Sequence, residues 1–487
     1  MFIYSKFPVM LRSIYFSILC CYSLTLTGQH FLNASLVQSF SKDDLNFYLF
    51  LSGIPAQAAH GVSLYKVQYL TPHLNGALDT ASGVVAIPST PGFKWPVLFY
   101  QHGTADNREE VPSRGSFESL VTVISAGLGY IGIAADYIGL GDSKGLHPYL
   151  HADTEASSAR DLFLAAGQLF AEKKVSLNDQ LFVTGYSQGG HAAMALHRLL
   201  AGEGAMEGFN IAASAPMSGP YSISTEMVNR LLSGEEYFYP GYPVYTLLSY
   251  DAAYNLFDSL GEFLQAPFVG PAQSFADGKL SVTELHDSLN ILLQQNHGKS
   301  IVKFLFKDTI FIELQDSSSA LSKALKDNDT YSWVPLSPTR LVYCKADDQV
   351  VYTNAIFADS VMRALGAKDI QAVDVNSEAD HGDCVLFALS YVIPFFNQYR
   401  EITTATKNVV ALAGIKTFPN PVTEQLWIEG LPDQGYLTLY NLQGQRLNTW
   451  PIQQTKQNIQ VHHLPPGTYV LSINSPKGQH QIKLQKH

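Results

Sequence analysis

Cysteine is scarce in this 487-residue chain. There are four: Cys20 and Cys21, adjacent in an apolar N-terminal run, and Cys344 and Cys384, far apart. That spacing excludes a disulfide-stapled scaffold and offers no zinc-ligand pairs. Charge is scarce too, at 15% of residues against 46% apolar, so the chain can fill a large core and is neither disordered nor of low complexity. Acidic residues outnumber basic ones 42 to 31, and a net charge of −11 argues against a nucleic-acid partner held through its phosphates. Beyond the N-terminus no uncharged apolar stretch reaches the ~18 residues that a membrane-spanning helix needs.

The N-terminus has the layout of a secretory signal. Lys6 and Arg12 precede the apolar segment 13–27, which ends at the small residue Gly28 before Gln29. A buried helix or an anchor is the alternative, but the run is short for a span. Ser17-Ile18-Leu19-Cys20 lacks the small residues of a lipidation site. We expect residues 1–28 to be a signal peptide and the protein to be secreted or displayed on the cell surface. The length, about three times a usual domain, calls for at least two units. A charge reversal marks one boundary: residues 406–487 carry +4, leaving −15 for everything before them.

Between residues 62 and 375 short apolar runs alternate with helical periods. Strands are expected at 62–69, 83–88, 96–101, 130–135, 181–184, 209–215, 340–343 and 370–375. Helices are expected at 117–126, 157–171, 191–200 and 354–365. Such alternation means βαβ units and a mostly parallel sheet with helices on both faces. Sites in such sheets form beyond the carboxyl ends of the strands. The alternation stops between 219 and 338, a stretch too long for a loop and rich in Tyr, Phe and Leu, which reads as a helical cap insertion. Part of its apolar content must fill its own small core. From residue 408 the texture turns to short alternating strands with turns at Asn441-Leu442-Gln443-Gly444 and Pro465-Pro466-Gly467, the pattern of a small all-β sandwich.

Gly185-Tyr186-Ser187-Gln188-Gly189 follows an apolar strand and opens a helix expected to begin near Gly190. A serine hydroxyl is a weak nucleophile and must stand on a sharp turn where a base can reach it; glycines two before and two after leave room for that turn. The helix N-terminus behind it offers a free N–H to a developing oxyanion. Tyr100-Gln101-His102-Gly103-Thr104 ends another strand, where the second oxyanion donor of such sheets lies. The backbone N–H of Thr104 is expected to pair with that of Gln188, with Gly103 as the alternative. His102 is expected to be a buried structural histidine.

An acid loop, Asp347-Asp348, follows the strand at 340–343, and His381 follows the next strand, in the order Ser, Asp, His. Ser187, Asp347 and His381 are therefore the candidate nucleophile, acid and base. The acid fixes the imidazole tautomer, and the imidazole takes the serine proton. Adjacent side chains in an extended loop point opposite ways, so either Asp347 or Asp348 faces His381; the spacing of the acid loop in the family that the chain resembles, named below, favours Asp347. His191, His197, His462 and His463 are expected in packing or surface roles. Neither a cofactor nor a metal is expected.

Residues 60–400 resemble an α/β-hydrolase, and more narrowly its secretory-lipase-like branch. The resemblance rests on the two motifs above together with Asp136-Tyr137-Ile138-Gly139-Leu140-Gly141-Asp142, His147-Pro148-Tyr149-Leu150 and Asp380-His381-Gly382-Asp383-Cys384. It implies a core at 29–218 and 339–405, a cap at 219–338, and hydrolysis of a small-molecule ester or lipid. The branch's acid loop usually reads Gly-x-x-Asp-x-x-Val-Pro; here Cys344 replaces the Gly and Val351 the Pro. The tail, 408–487, resembles the C-terminal sorting domain of type IX secretion through Phe418-Pro419-Asn420-Pro421, Leu439-Tyr440-Asn441-Leu442-Gln443-Gly444 and Leu464-Pro465-Pro466-Gly467-Thr468-Tyr469. That implies the secretion machinery as a partner; a carbohydrate-binding sandwich is the alternative.

The leading expectation is a serine carboxylesterase or lipase. A serine peptidase of the same fold and a non-catalytic binding protein on a hydrolase scaffold are the alternatives. Cys344 and Cys384 each lie three residues from a candidate catalytic residue, on loops that must converge. In an exported protein a Cys344–Cys384 disulfide is expected to tie them, the alternative being two separate buried thiols.

Overall fold

The computed structural model describes residues 30–404 and 412–487, except 413, 443 and 477. The signal-like segment and the start near Gln29 lie outside the described residues. Contacts divide the chain between Thr404 and Ala405 into two units.

The larger unit is built from β1 (Phe31–Phe40), α1 (Lys42–Leu51), β2 (Val62–Pro72), β3 (Leu78–Pro88), β4 (Phe93–Gln101), α2 (Phe117–Gly127), β5 (Ile131–Ala135), α3 (Ala152–Lys173), β6 (Ser176–Tyr186), α4 (Gln188–Ala201) and β7 (Asn210–Met217). Seven further helices follow among the described residues: α5 (Val228–Leu232), α6 (Gly241–Tyr254), α7 (Leu260–Phe263), α8 (Ala266–Ala276), α9 (Val282–His297), α10 (Asp308–Gln315) and α11 (Ala320–Asp327). The sheet then resumes with β8 (Thr339–Tyr343), α12 (Thr353–Leu365), β9 (Ile370–Asp374), α13 (His381–Asn397) and β10 (Thr403–Thr404). Strand order is β1-β2-β3-β5-β4-β6-β7-β8-β9, with β10 paired to β4. From β5 through β4 to β9 the pairs are parallel; β1, β2 and β3 form an antiparallel flank.

Alternation along the strands decides which helices cover which face. Val85, Val97, Phe99, Ile131, Ile133 and Val183 pack with Leu162, Leu169, Ala193 and Leu196 of α3 and α4. Their neighbours Val84, Leu98, Tyr100, Ala134 and Phe182 pack with Leu45, Val123, Leu389 and Phe396 of α1, α2 and α13. Burial on both faces explains why β4 and β5 read as continuous apolar runs. The cap has its own core, in which Tyr250, Phe263, Phe268, Leu285 and Leu289 are at most 1% exposed.

The smaller unit holds β11 (Lys416–Phe418), β12 (Gln425–Glu429), β13 (Tyr436–Asn441), β14 (Arg446–Pro451), β15 (Lys456–Gln460), β16 (Gly467–Ser475) and β17 (Gly478–Lys486). They form two antiparallel sheets, β11-β12-β15 and β14-β13-β16-β17. Leu426, Ile428, Leu437, Leu471 and Leu484 fill the space they share.

Several elements differ from the sequence expectation: α13 is an additional helix, β3 and β6 begin five residues early, and three further differences have a clear cause. β1 went unread because its residues are mostly exposed, so it carries no buried alternation. α3 begins at Ala152, five residues early, and the added turn contains Glu155. α4 begins at Gln188, so the residue after Ser187 is already helical.

Candidate active site

Ser187 joins β6 to α4 at φ 60°, ψ −121°, a left-handed conformation that costs a serine about 1–3 kcal/mol. Close packing holds it there. A Cβ added at Gly185 would lie 2.2 Å from the Gly189 carbonyl oxygen, and one at Gly189 would lie 2.0 Å from that of Gln101. Only glycine fits at either place. The Ser187 N–H donates to Met217 O at 3.0 Å, fastening the turn to β7.

His381, the first residue of α13, stands beside this turn. Its ring centroid lies 5.0 Å from that of Tyr186, whose hydroxyl donates to the His381 carbonyl at 2.5 Å. The imidazole Nδ1 is 2.7 Å from Asp347 Oδ2. Both side chains are nearly excluded from solvent, at 7% and 1% exposure. The other Asp347 oxygen accepts the N–H groups of Gln349 at 3.0 Å and Val350 at 2.8 Å, which fixes the carboxylate. Asp348 faces elsewhere: Oδ1 accepts the backbone N–H of His381 at 3.2 Å and Oδ2 the Tyr239 hydroxyl at 3.0 Å. The Cys344–Cys384 disulfide joins the acid loop to α13 across 40 residues.

The two oxyanion candidates differ in their surroundings. Gly103 N–H is already taken by Glu118 Oε1 at 3.2 Å. Among the described residues no acceptor takes the backbone N–H of Thr104 or Gln188. The Thr104 hydroxyl pairs with that of Tyr149 at 2.9 Å. His102 is fully buried and bridges the Gly103 and Asp136 carbonyls at 2.7 and 3.2 Å.

Beneath α4 lies a polar network that the sequence reading missed. Glu155 and His191 are fully buried and meet at 2.7 Å through His191 Nδ1, while Nε2 donates to the Asn328 carbonyl at 2.8 Å. The pair therefore holds a proton between carboxylate and imidazole. Gln188 Nε2 lies 2.8 Å from the other Glu155 oxygen and 2.6 Å from His147 Nε2. His147 donates through Nδ1 to the Ile138 carbonyl at 2.7 Å, and burial lowers its pKa to about 4, so its Nε2 accepts from Gln188. His191 is thus more than a packing residue. His197 does pack, edge-on to Trp333, with burial lowering its pKa to about 3. His462 and His463 are exposed.

Ser187 and Gln188 open onto a cavity with about 940 Å³ of unfilled space, its mouth included. Tyr149, Tyr237, Tyr242, Gln349 and Val350 also line it, and Leu231, Phe311, Leu314 and Leu325 continue it into the cap. Its walls are almost wholly apolar, Lys303 being the one charged residue among the described residues that line it. Among the described residues no group of three or more His, Cys, Asp or Glu side chains could hold a metal ion.

The larger unit has the α/β-hydrolase fold, and its solved structural neighbours are esterases and lipases. The ligand-bound rice cell wall degrading esterase LipA from Xanthomonas oryzae is 27% identical, with a TM-score of 0.67 over 76% of this chain and 99% of that one. Candida antarctica lipase A, at 16% identity and a TM-score of 0.55 over 77% and 84%, shares the fold. Residues 416–487 match the secretion system C-terminal sorting domain, which indicates export to the surface or beyond. No curated protein matches the chain.

Proposed function

We propose that the chain is an exported serine hydrolase that cleaves carboxylic esters through an acyl-enzyme on Ser187. The observation that carries this reading is the Asp347–His381 pair beside a strained serine turn that lines an apolar cavity. Ser187 Oγ attacks the ester carbonyl as His381 Nε2 takes its proton; Asp347 holds Nδ1 and stabilises the imidazolium. The oxyanion accepts from the N–H groups of Thr104 and Gln188, since Glu118 already occupies that of Gly103. His381 then protonates the leaving alcohol, and water releases the acid by the same route.

The acyl chain occupies the cap cavity. Each added methylene removed from water contributes ~0.8 kcal/mol, so kcat/KM rises about three- to fourfold per methylene beyond acetate until the cavity is filled. A p-nitrophenyl ester series run beside peptide anilides tests this. A steady decline from acetate would leave an esterase for short chains, and turnover of anilides alone would favour a peptidase. Fluorophosphonate labelling that survives Ser187→Ala would remove the nucleophile assignment. Asp347→Asn is expected to cut turnover by orders of magnitude, as loss of a triad acid leaves the wrong tautomer.

A further inference from the structure

We propose that Asp348 is a positioning residue that couples the cap to the base His381. The inference rests on the triad reading above.

His381 opens α13, so its N–H has no acceptor within the helix. The N-cap residue Asp380 does not supply one, because its carboxylate serves the N–H of Asp383 at 2.9 Å. Asp348 Oδ1 takes that role, reaching across from the acid loop at 3.2 Å. The same carboxylate holds the Tyr239 hydroxyl through Oδ2 at 3.0 Å. Tyr239 lies in the cap just before α6, and its neighbours make parallel ties. Tyr237 donates to the Gln349 carbonyl and Tyr242 to the Gln349 side chain, each at 3.0 Å.

Three tyrosine hydroxyls from six consecutive positions thus fasten the cap to residues 348 and 349. Two of the three, Tyr237 and Tyr242, also line the cavity beside Ser187. A group that fills the cavity therefore touches the segment that holds the acid loop, and Asp348 passes that restraint to the backbone of the base. His381 is thereby fixed at two points, its ring by Asp347 and its main chain by Asp348.

The test uses the full chain with Asp348→Ala, Asp348→Asn, Tyr239→Phe and the Ala/Phe double variant. kcat and KM are measured on acetate and octanoate esters, together with melting temperature and the rate of fluorophosphonate labelling at Ser187. Asp348→Ala is expected to lower kcat and labelling about tenfold while KM for acetate stays within twofold. Asp348→Asn should recover to within threefold of wild type, because its amide oxygen still accepts the His381 N–H and its NH₂ can donate to Tyr239. Tyr239→Phe should lower kcat about threefold, and that effect should vanish in the Asp348→Ala background, since coupled residues are non-additive. Unchanged kcat in Asp348→Ala, an Asn variant as impaired as Ala, or a Tyr239 effect of the same size in both backgrounds would each overturn the proposal. Should Asp348→Ala fail to fold, Tyr239→Phe is compared in the wild-type and Asp348→Asn backgrounds. The link survives in both, so an unchanged kcat in both overturns the coupling and a threefold loss in both supports it. A wild-type chain that neither labels at Ser187 nor turns over esters would instead fail the underlying function.

Discussion

Removing the imidazole of His191 should destabilise the larger unit far more than removing the charge of its partner. His191→Ala leaves Glu155, fully buried, without the group that shares its proton. Stripping one member from a buried pair costs about 3–5 kcal/mol. Glu155→Gln is a different perturbation. Its carbonyl oxygen still accepts from Gln188 Nε2, and its NH₂ can donate to Nδ1 of a neutral His191 whose Nε2–H still reaches Asn328. Every hydrogen bond is then kept, and the cost should stay near 1 kcal/mol. Urea unfolding separates the two variants. With Trp427 and Trp450 replaced by Phe, fluorescence reports only on Trp95 and Trp333 of the larger unit. At a slope of ~3 kcal/mol per M, His191→Ala should lower the midpoint by about 1–1.7 M and Glu155→Gln by less than about 0.5 M. Equal shifts would refute the pairing, as would a His191→Ala midpoint within about 0.3 M of the parent.

The disulfide closes a 40-residue loop, and in the chain-entropy account that is worth about 4 kcal/mol; Cys344→Ser with Cys384→Ser should show this loss by urea unfolding, and alkylation of unreduced wild type should label neither residue. Burial lowers the pKa of His147 and His286 to about 4 and of His197 to about 3, against 6.5 unfolded, so the unfolded chain binds more protons below pH 6.5. Stability present above pH 6.5 should therefore be lost on acidification toward pH 4, with up to about 4 kcal/mol per pH unit from these three groups; a flat unfolding midpoint between pH 6 and 4.5 would contradict it. Residues 29–405 expressed alone should retain full activity on a soluble ester, whereas failure of that piece to fold would place the tail within the larger unit's core.

The parts of the site that could be read from sequence are those written in contiguous residues. The Gly185 to Gly189 turn has its reason in local crowding, so five residues announce it. The loops that carry Asp347 and His381 follow the short strands β8 and β9, in the chain order Ser, Asp, His that this kind of sheet calls for. Other parts depend on residues far apart in sequence. His191 shows only a polar position on a helix; its partner Glu155 lies 36 residues earlier, in a turn of α3 that its mixed composition concealed. The cap's aromatic runs gave one pattern to two kinds of residue. Tyr250, Phe263 and Phe268 fill the cap interior, while Tyr237 and Tyr242 face the cavity, and nothing in the spacing separates them. Asp348 looked like a rival to Asp347, and only the fold shows the two carboxylates on different atoms of one histidine.

Ser187 and His381 stand 194 positions apart, and that distance has a consequence for the order of synthesis. The serine turn needs β4, β6, α4 and β7, all complete once residue 217 has left the ribosome. His381, its proposed base, belongs to a helix near the end of the same unit, after the entire cap. Because translation delivers the chain from its N-terminus, a truncated or stalled product can carry Ser187, the proposed nucleophile, without His381, its proposed base. On the proposed mechanism, copies that end before His381 would be inert toward esters, which a chain stopped at residue 380 and assayed on a soluble ester would check.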